Sequence, residues 1–545
     1  MSVSYSFFVA KTLSPTHSWT RGTEKDRISR MKRRDFLKAA GLAAAARMVV
    51  RDAPLMASSR APGRAIPPAA KEYGLLECAD PRITAAFSRS RTGILACTVN
   101  DQTHCCDAGR SWGTDDALND LYFGLHGGLF IGDEYQHTVF RNELRKIAQY
   151  IKLSPHHPPV PWAVSADGRT PHFNPDPGYD LDRTAEFLLQ VVRTYEVTGD
   201  REFALELYPK CTLIVDYLAA RDLDGDLLPE GRTTWFDDRT GRGGACASVT
   251  YIGDTVGNTW KDFGAALFYY EALQHLALLE NLLGKKTAAA QHLEHAGRVR
   301  DAARRILWNA KTDGFLAWVE KDGTPHDEWI TGNNLHAVFC GMADPEQSAR
   351  IMNKLEQHRQ VLEDLIPCRV RLGVYPPRLC SNRPNYYWNG GIWTLVSAPD
   401  MLARARRNDL AGALRVAELL STRPKVTSYG FYEAYDGKTG EPNHCRGLLM
   451  NNGGFVWGFL EAVMGIDIRG DRFRFRSSVP ARIIPGKARI LYRGADFEIH
   501  WQKGKRPSAK LDNRSLDLGE DGYYRLPFTP EPKRTYVVEI VSATA

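Results

Sequence analysis

Between residues 115 and 466, apolar residues recur every three to four positions in runs broken by Gly, Pro and Asp. That spacing lays an apolar stripe along one face of an α-helix. In "TAEFLLQVVRTYEVTGD", Phe187, Leu188, Val191, Val192 and Tyr195 share a face, and Gly199 marks the stop. "REFALELYPKCTLIVDYLAA" repeats the pattern directly after it. The same reading predicts helices over 259–283, 288–308, 334–342, 346–358, 392–406, 410–420 and 453–464, with two more within 115–151, eleven or twelve in all. Hairpins of comparable length in succession predict a mainly α fold, a closed toroid of helix pairs, although an open solenoid has the same periodicity. After Gly465 the period changes. "FRFRSSVP", "KARILYRGADFEIHWQKG" and "YVVEIVSA" alternate apolar and polar residues between turn residues. This predicts strands and a small β-sandwich-like domain over 466–545, expected to brace the helical body.

The chain has 545 residues, of which 43% are hydrophobic and 25% charged, enough for one large core and an accessory domain. Its formal net charge of +7 is small for that length and is weighted to the N-terminus. No nucleic-acid partner is therefore expected. "MKRRDFLKAAGLAAAARMVV" sets the pair Arg33-Arg34 before Phe36, Leu37 and an Ala-rich apolar run, the layout of a twin-arginine export signal. The run is too short to span a membrane. The expected order is a signal region and linker over 1–70 with its true start at Met31, an entry segment over 71–114, a catalytic barrel over 115–465 and the β domain over 466–545. Periplasmic or secreted localisation follows. Export would expose the ten cysteines to oxidants. Their pairing cannot be read from spacing, and no Cys-x-x-Cys pair predicts zinc.

Loops gathered at one end of a helical ring surround its cavity, and here they are rich in aromatic and acidic residues. Such a lining suits a sugar, apolar on its faces and hydroxylated at its rim. Glycoside hydrolysis needs one carboxylic acid to protonate the leaving oxygen and one carboxylate to activate water or attack carbon. In "TTWFDD", Trp235 and Phe236 offer an apolar wall that would raise the pKa of Asp237 or Asp238. In "YGFYEAYDGKTGEPNHC", Glu433 lies among Phe431, Tyr432 and Tyr435, whereas Asp436-Gly437 reads as a turn pair and Glu441 as an edge residue. Trp112, Trp260, Trp388 and Trp393 are candidate stacking platforms, one or two of them core. Asp116 and Asp182 stand at helix starts, where an acid caps as readily as it binds. Asp222, Asp224, Asp226 and Glu230 in "DLDGDLLPE" have calcium-loop character without the loop length, so no cofactor is expected and calcium is kept only as the alternative.

Several of these stretches, in order, carry a resemblance. "DDALNDLYFGLHGGLFIGDEYQHTVFRNELRKIAQYI", "DLDGDLLPEGRTTWFDD" and "VGNTWKDFGAALFYYEALQHLALLENLLG" resemble the amylo-α-1,6-glucosidase domain of glycogen debranching enzymes. "YYWNGGIW", residues 386–393, and "EAYDGKTG" are similar to motifs of glycoside hydrolase family 63, the processing α-glucosidase I and mannosylglycerate hydrolase group. The resemblance implies an (α/α)6 barrel and inversion, with Asp237 as general acid and Glu433 as general base. It implies a sugar subsite drawn from Trp112, Asp116, Asp182, Trp235, Asp238, Asn334, His336, Tyr387, Trp388, Asn389, Trp393 and Tyr435. "WNGGIW" departs from the "W-R-G-P-IW" pattern of α-glucosidase I, and "CDAGRSWGTDD" is similar to α-L-rhamnosidases. The expected protein is an exported, inverting, exo-acting hydrolase of α-glucoside- or α-mannoside-like substrates, its carboxyls roughly 6.5–9.5 Å apart. The alternatives are a rhamnosidase-like hydrolase, an inverting phosphorylase, a polysaccharide lyase and a non-catalytic glycan-binding protein.

Overall fold

The computed structural model describes residues 73–99, 101–106, 116–151, 160–165, 168–173, 181–232, 236–237, 242–243, 259–362, 366–380 and 382–543. Among them twelve α-helices stand out: α1 (Pro81–Ala96), α2 (Leu118–Ile131), α3 (Glu134–Ala148), α4 (Leu181–Thr198), α5 (Arg201–Ala219), α6 (Phe263–Leu283), α7 (Lys286–Ile306), α8 (Thr331–Cys340), α9 (Pro345–Leu362), α10 (Ser397–Arg406), α11 (Leu410–Thr422) and α12 (Leu449–Gly458). Aspartate caps begin several of them. The side chains of Asp80, Asp133, Asp200, Asp262 and Asp409 accept backbone N–H groups of α1, α3, α5, α6 and α11 that have no partner within the helix.

The helices fall into two sets. Each even-numbered helix touches the next, from α2 to α12, and α12 touches α2. The odd-numbered helices pack outside their neighbours, with α1 on α12 and α11. Burial follows the same division. Every residue from Leu181 to Val197 of α4 is buried, while α7 buries only Ala289, Ala296, Val299, Ala302 and Ala303. A helix enclosed on all sides is apolar most of the way round, and an outer one needs only a stripe. Glycine allows the closing contact between α12 and α2. A Cβ on Gly127 would lie 2.4 Å from the Gly453 carbonyl oxygen.

Residues 466–543 form strands in two sheets. One has six strands in the order 76–78, 486–492, 495–504, 535–543, 508–511, 514–515, and the other has three, 466–469, 472–476 and 523–525. Leu76–Cys78, ahead of all the helices, is thus the edge strand of the C-terminal sheet. The rings of Phe473, Phe475, Tyr492, Phe497 and Tyr536 pack together there. Arg193 of α4 donates to the Ile468 carbonyl, and Glu196 accepts from the Gly470 N–H at 2.6 Å, fixing these strands to the helices. Among the described residues no helix is long and apolar enough to cross a membrane.

Several boundaries depart from the periodic reading: α6 begins at Phe263 rather than 259, because Thr259–Asp262 pair as a strand, and α12 spans Leu449–Gly458 rather than 453–464. Helix α1 was not predicted, because serines and arginines dilute its apolar stripe, although Asp80-Pro81 is a standard helix start. Helix α10 begins at Ser397 rather than 392, because Ile392 is spent on bridges to Arg369 and Tyr435.

Candidate active site

The hairpin of Tyr432–Tyr435 and Pro442–Arg446 precedes α12 and carries Glu433, which is 1% exposed. Asn451, in the first turn of α12, holds the strand from behind. Its Nδ2 donates to the carbonyls of Tyr432 (2.6 Å) and Glu433 (2.8 Å) while its Oδ1 accepts the Leu395 N–H (3.0 Å). Asn452 brackets the same chain one turn earlier, accepting the Phe431 N–H and donating to the Tyr429 carbonyl. The glutamate backbone is therefore pinned, and both carboxylate oxygens have a donor. Tyr387 Oη donates to Oε1 at 2.8 Å and the Cys445 N–H donates to Oε2 at 3.3 Å.

The two other acids of this stretch are engaged elsewhere. Asp436 accepts the Lys438 and Thr439 N–H groups, each at 3.0 Å, and pairs with Arg383 at 2.8 Å. Burial works against its charge, but these partners hold its carboxyl below the ordinary range. Glu441 is exposed and pairs with Lys425 at 2.6 Å.

Tyr387 sits on a strained backbone. Its φ is +52°, and those of Asn385 and His444 are +62° and +61°, values that L-residues seldom adopt. A Cβ on Gly391 would meet the Tyr387 carbonyl oxygen at 2.3 Å, and one on Gly437 would meet the Gly390 carbonyl oxygen at the same distance. These glycines let the 385–391 loop fold down onto the hairpin. His444 packs on the Tyr387 ring at 4.3 Å between centroids, and Trp388 stacks on Trp393 at 4.3 Å and 20°. Tyr387→Phe is expected to fold normally and lower kcat by about ten- to a hundredfold with little change in KM, since one hydrogen bond to a charged group is lost. Steady-state kinetics on the purified variant checks this.

Across from the hairpin, the first turns of α2 and α4 supply groups that motif reading passed over. Asp120 is 3% exposed, and the Cys105 side chain hydrogen-bonds to it. Burial first, and then the negative charge of Glu433, push its carboxyl up to about 8, with Glu186 adding to the rise and Arg183 opposing it. Its position in the first turn of a helix, just after the acidic pair Asp115-Asp116, was the available signal, as was the Arg183–Glu186 spacing in "LDRTAE". Asp182 is fully buried in the same turn of α4. These acids share helix N-terminal ends, where the peptide dipoles favour negative charge.

Asp120 has a consequence for stability. Its folded value lies above the unfolded value of about 3.9, so the folded state holds the proton more tightly. The cost of ionising it is absent near pH 4, grows as pH rises and is complete above about pH 8. Asp120→Asn copies the neutral form. It is expected to be more stable than the parent by on the order of a few kcal/mol above about pH 8 and no more stable near pH 4, read by urea melts across that range.

The remaining candidates are spread more widely. Asn334 accepts the Phe315 N–H and donates to the Ile330 carbonyl, each at 2.9 Å, which fixes the start of α8. Asn389 does the same within its loop, accepting from Tyr375 N–H (2.6 Å) and donating to the Asn382 carbonyl (2.8 Å). Tyr435 is fully buried, and its hydroxyl donates to the Lys425 carbonyl and accepts the Tyr432 N–H. His336 pairs with Glu271 at 2.7 Å. Glu271 lines a cavity of about 300 Å³ with His126, Arg193, Trp457 and Glu461, which lie toward the opposite ends of the even-numbered helices from Glu433. Trp388 and Trp393 are buried. Trp112, Trp235 and Asp238 lie outside the described residues. Of Asp116 and Asp237 only the backbone is described, in short strand pairs with Val164 and Arg242.

The acidic loop ahead of Asp237 is met by a cation from the strand that enters α6. Asp222, Asp224, Asp226 and Glu230 converge closely enough to hold a metal ion. Lys261 Nζ lies 2.6 Å from Asp224 and 3.0 Å from Asp226 and contacts Glu230. Asp222 accepts the N–H groups of Gly225, Asp226 and Leu227. The ammonium thus ties this loop to the strand entering α6. Lys261→Met should destabilise the fold by roughly 3 kcal/mol by leaving the carboxylates uncompensated. Added calcium should restore part of that loss while leaving the parent melting temperature unchanged.

A family model for the mannosylglycerate hydrolase MGH1-like glycoside hydrolase domain matches residues 166–457, more than half of the chain. The GH63 mannosylglycerate hydrolase from Thermus thermophilus, solved in complex with glucose, superposes with a TM-score of 0.52 at 16% identity, covering 68% of this chain and 99% of that one. The GH78 family rhamnosidase of Bacillus sp. GL1 gives 0.53 at 14% identity, covering 87% of this chain and 44% of that one. A sialidase gives 0.60 at 15%, covering 88% and 43%. This chain therefore spans less than half of the last two proteins. At these identities the likeness is one of fold, that of helix-rich glycosidases. No curated protein sequence matches. The family match takes in α4, the Tyr387 loop and the Glu433 hairpin and ends in α12, so the chain belongs to the MGH1-like glycoside hydrolase family and is a glycoside hydrolase.

Proposed function

We propose that the enzyme is an inverting, exo-acting hydrolase of α-glycosides, glucoside- or mannoside-like, built on an (α/α)6 toroid. The closed succession of even-numbered helices inside an odd-numbered set supports the toroid. The observation that carries the mechanism is the held state of Glu433, buried, fixed by Asn451 and given one donor on each oxygen. Such a carboxylate keeps free lone pairs to take a proton from a water aimed at the anomeric carbon. Asp237, in the loop beyond the Lys261 clamp, is the proposed proton donor to the leaving oxygen. Trp388 and Trp393 set the aromatic floor behind Tyr387 rather than stacking on the sugar themselves. The Arg33-Arg34 motif supports export to the periplasm or beyond.

The test is a panel of α-glucosides, α-mannosides and α-L-rhamnosides incubated with and without phosphate. Release of free sugar from a glucoside or mannoside at a rate independent of phosphate is the expected result. A sugar phosphate product, an ultraviolet-absorbing unsaturated product or cleavage confined to rhamnosides would overturn the reading.

A further inference from the structure

Two thiols meet beside Glu433. Cys445 gives its N–H to the carboxylate, and its side chain hydrogen-bonds to Cys106. Cys106 arrives from the segment after α1. That segment is seated by the Leu449 N–H on the Cys105 carbonyl (2.8 Å) and by Cys97 Sγ on the Gly447 carbonyl (3.4 Å). The contact thus joins chain ahead of the even-numbered helices to the hairpin that closes them. Cys106 is fully buried and Cys445 partly exposed, so a reagent can reach one of the pair. Thiols that share a hydrogen bond are within a side-chain rotation of the S–S distance.

We propose that Cys106 and Cys445 close to a disulfide under oxidising conditions, cross-linking the post-α1 segment to the base-bearing hairpin. The partly exposed Cys445 reacts first. Cys445, deprotonated, attacks a sulfur of a small disulfide oxidant such as glutathione disulfide and expels one glutathione thiolate. Cys106, deprotonated in turn, attacks the Cys445 sulfur and expels the second. Two cysteine protons are lost, and the two electrons reside in two reduced glutathiones. The hydrogen bond with Cys106, burial and the charge of Glu433 all hold the Cys445 thiol above its usual range. Thiolate is therefore scarce and the exchange slow.

The full chain, reduced and then incubated folded with glutathione disulfide, is to be alkylated in denaturant and mapped by mass spectrometry. The expected result is a Cys106–Cys445 linked peptide pair and two fewer titratable thiols than the ten of the sequence. The melting temperature should rise and should return to its starting value on treatment with dithiothreitol. Cys106→Ser should keep the fold, lose the temperature rise and stop at a glutathione adduct on Cys445. Ten free thiols after prolonged incubation, or a linkage that leaves out either residue, would overturn the proposal. So would an adduct on Cys445 of the parent that Cys106 never displaces. None of these readouts depends on hydrolytic activity, so failure here is distinguishable from failure of the proposed function.

Discussion

Glu433→Gln is expected to lower kcat by about a thousandfold while leaving the melting temperature close to that of the parent. Glutamine fills the same volume, keeps an oxygen for the Tyr387 hydroxyl and remains held by Asn451 through the backbone. What it loses is the ability to take a proton from water. Azide, which attacks carbon without needing a base, should restore turnover in the variant and not in the parent. Loss of activity without azide rescue, together with a lowered melting temperature, would instead place Glu433 in the framework.

Asp237→Asn carries the second large effect. With an alkoxide leaving group, loss of the proposed acid should cost about a thousandfold in kcat, because the departing oxygen must then leave with its charge. With an activated leaving group, such as fluoride or dinitrophenolate, the loss should shrink to about tenfold or less. Asp238→Asn should show no such dependence on leaving group. Were the pattern to appear in Asp238→Asn and not in Asp237→Asn, the donor would be the later residue of the pair. Both variants should retain their fold, since the Lys261 clamp that anchors the preceding loop is untouched.

The helical body was legible in the sequence because helices carry their signal locally. A stripe such as Phe187–Val191–Tyr195, or an aspartate cap ahead of an apolar run, requires no knowledge of the rest of the chain. The order of α4 to α12 followed from that signal alone. Long-range economy was not legible. Ile392 looks helical until Arg369 and Tyr435 are seen bridging it, and Leu76–Cys78 reads only as part of an entry segment until residues 486–492 arrive to pair with it.

The site divides along the same line. Glu433 stands in a motif, and Tyr387, its hydrogen-bond donor, stands in another. Asp120 and Cys445 carry no motif, and their relation to Glu433 exists only once the first turn of α2 and the closing hairpin are brought to one end of the helices. Asn334, Asn389 and Tyr435 show the converse. Their polar groups resemble sugar ligands in sequence and are engaged by backbone in the structure.

The central claim is that Glu433 directs a water onto the anomeric carbon in a single displacement. Proton NMR of the reaction with the cleaved α-glycoside, recorded within the first minutes before mutarotation, tests it most directly. The account predicts that the β-anomer of the released sugar appears first and the α-anomer grows in only later. Initial accumulation of the α-anomer would mean retention through a covalent intermediate and would contradict it.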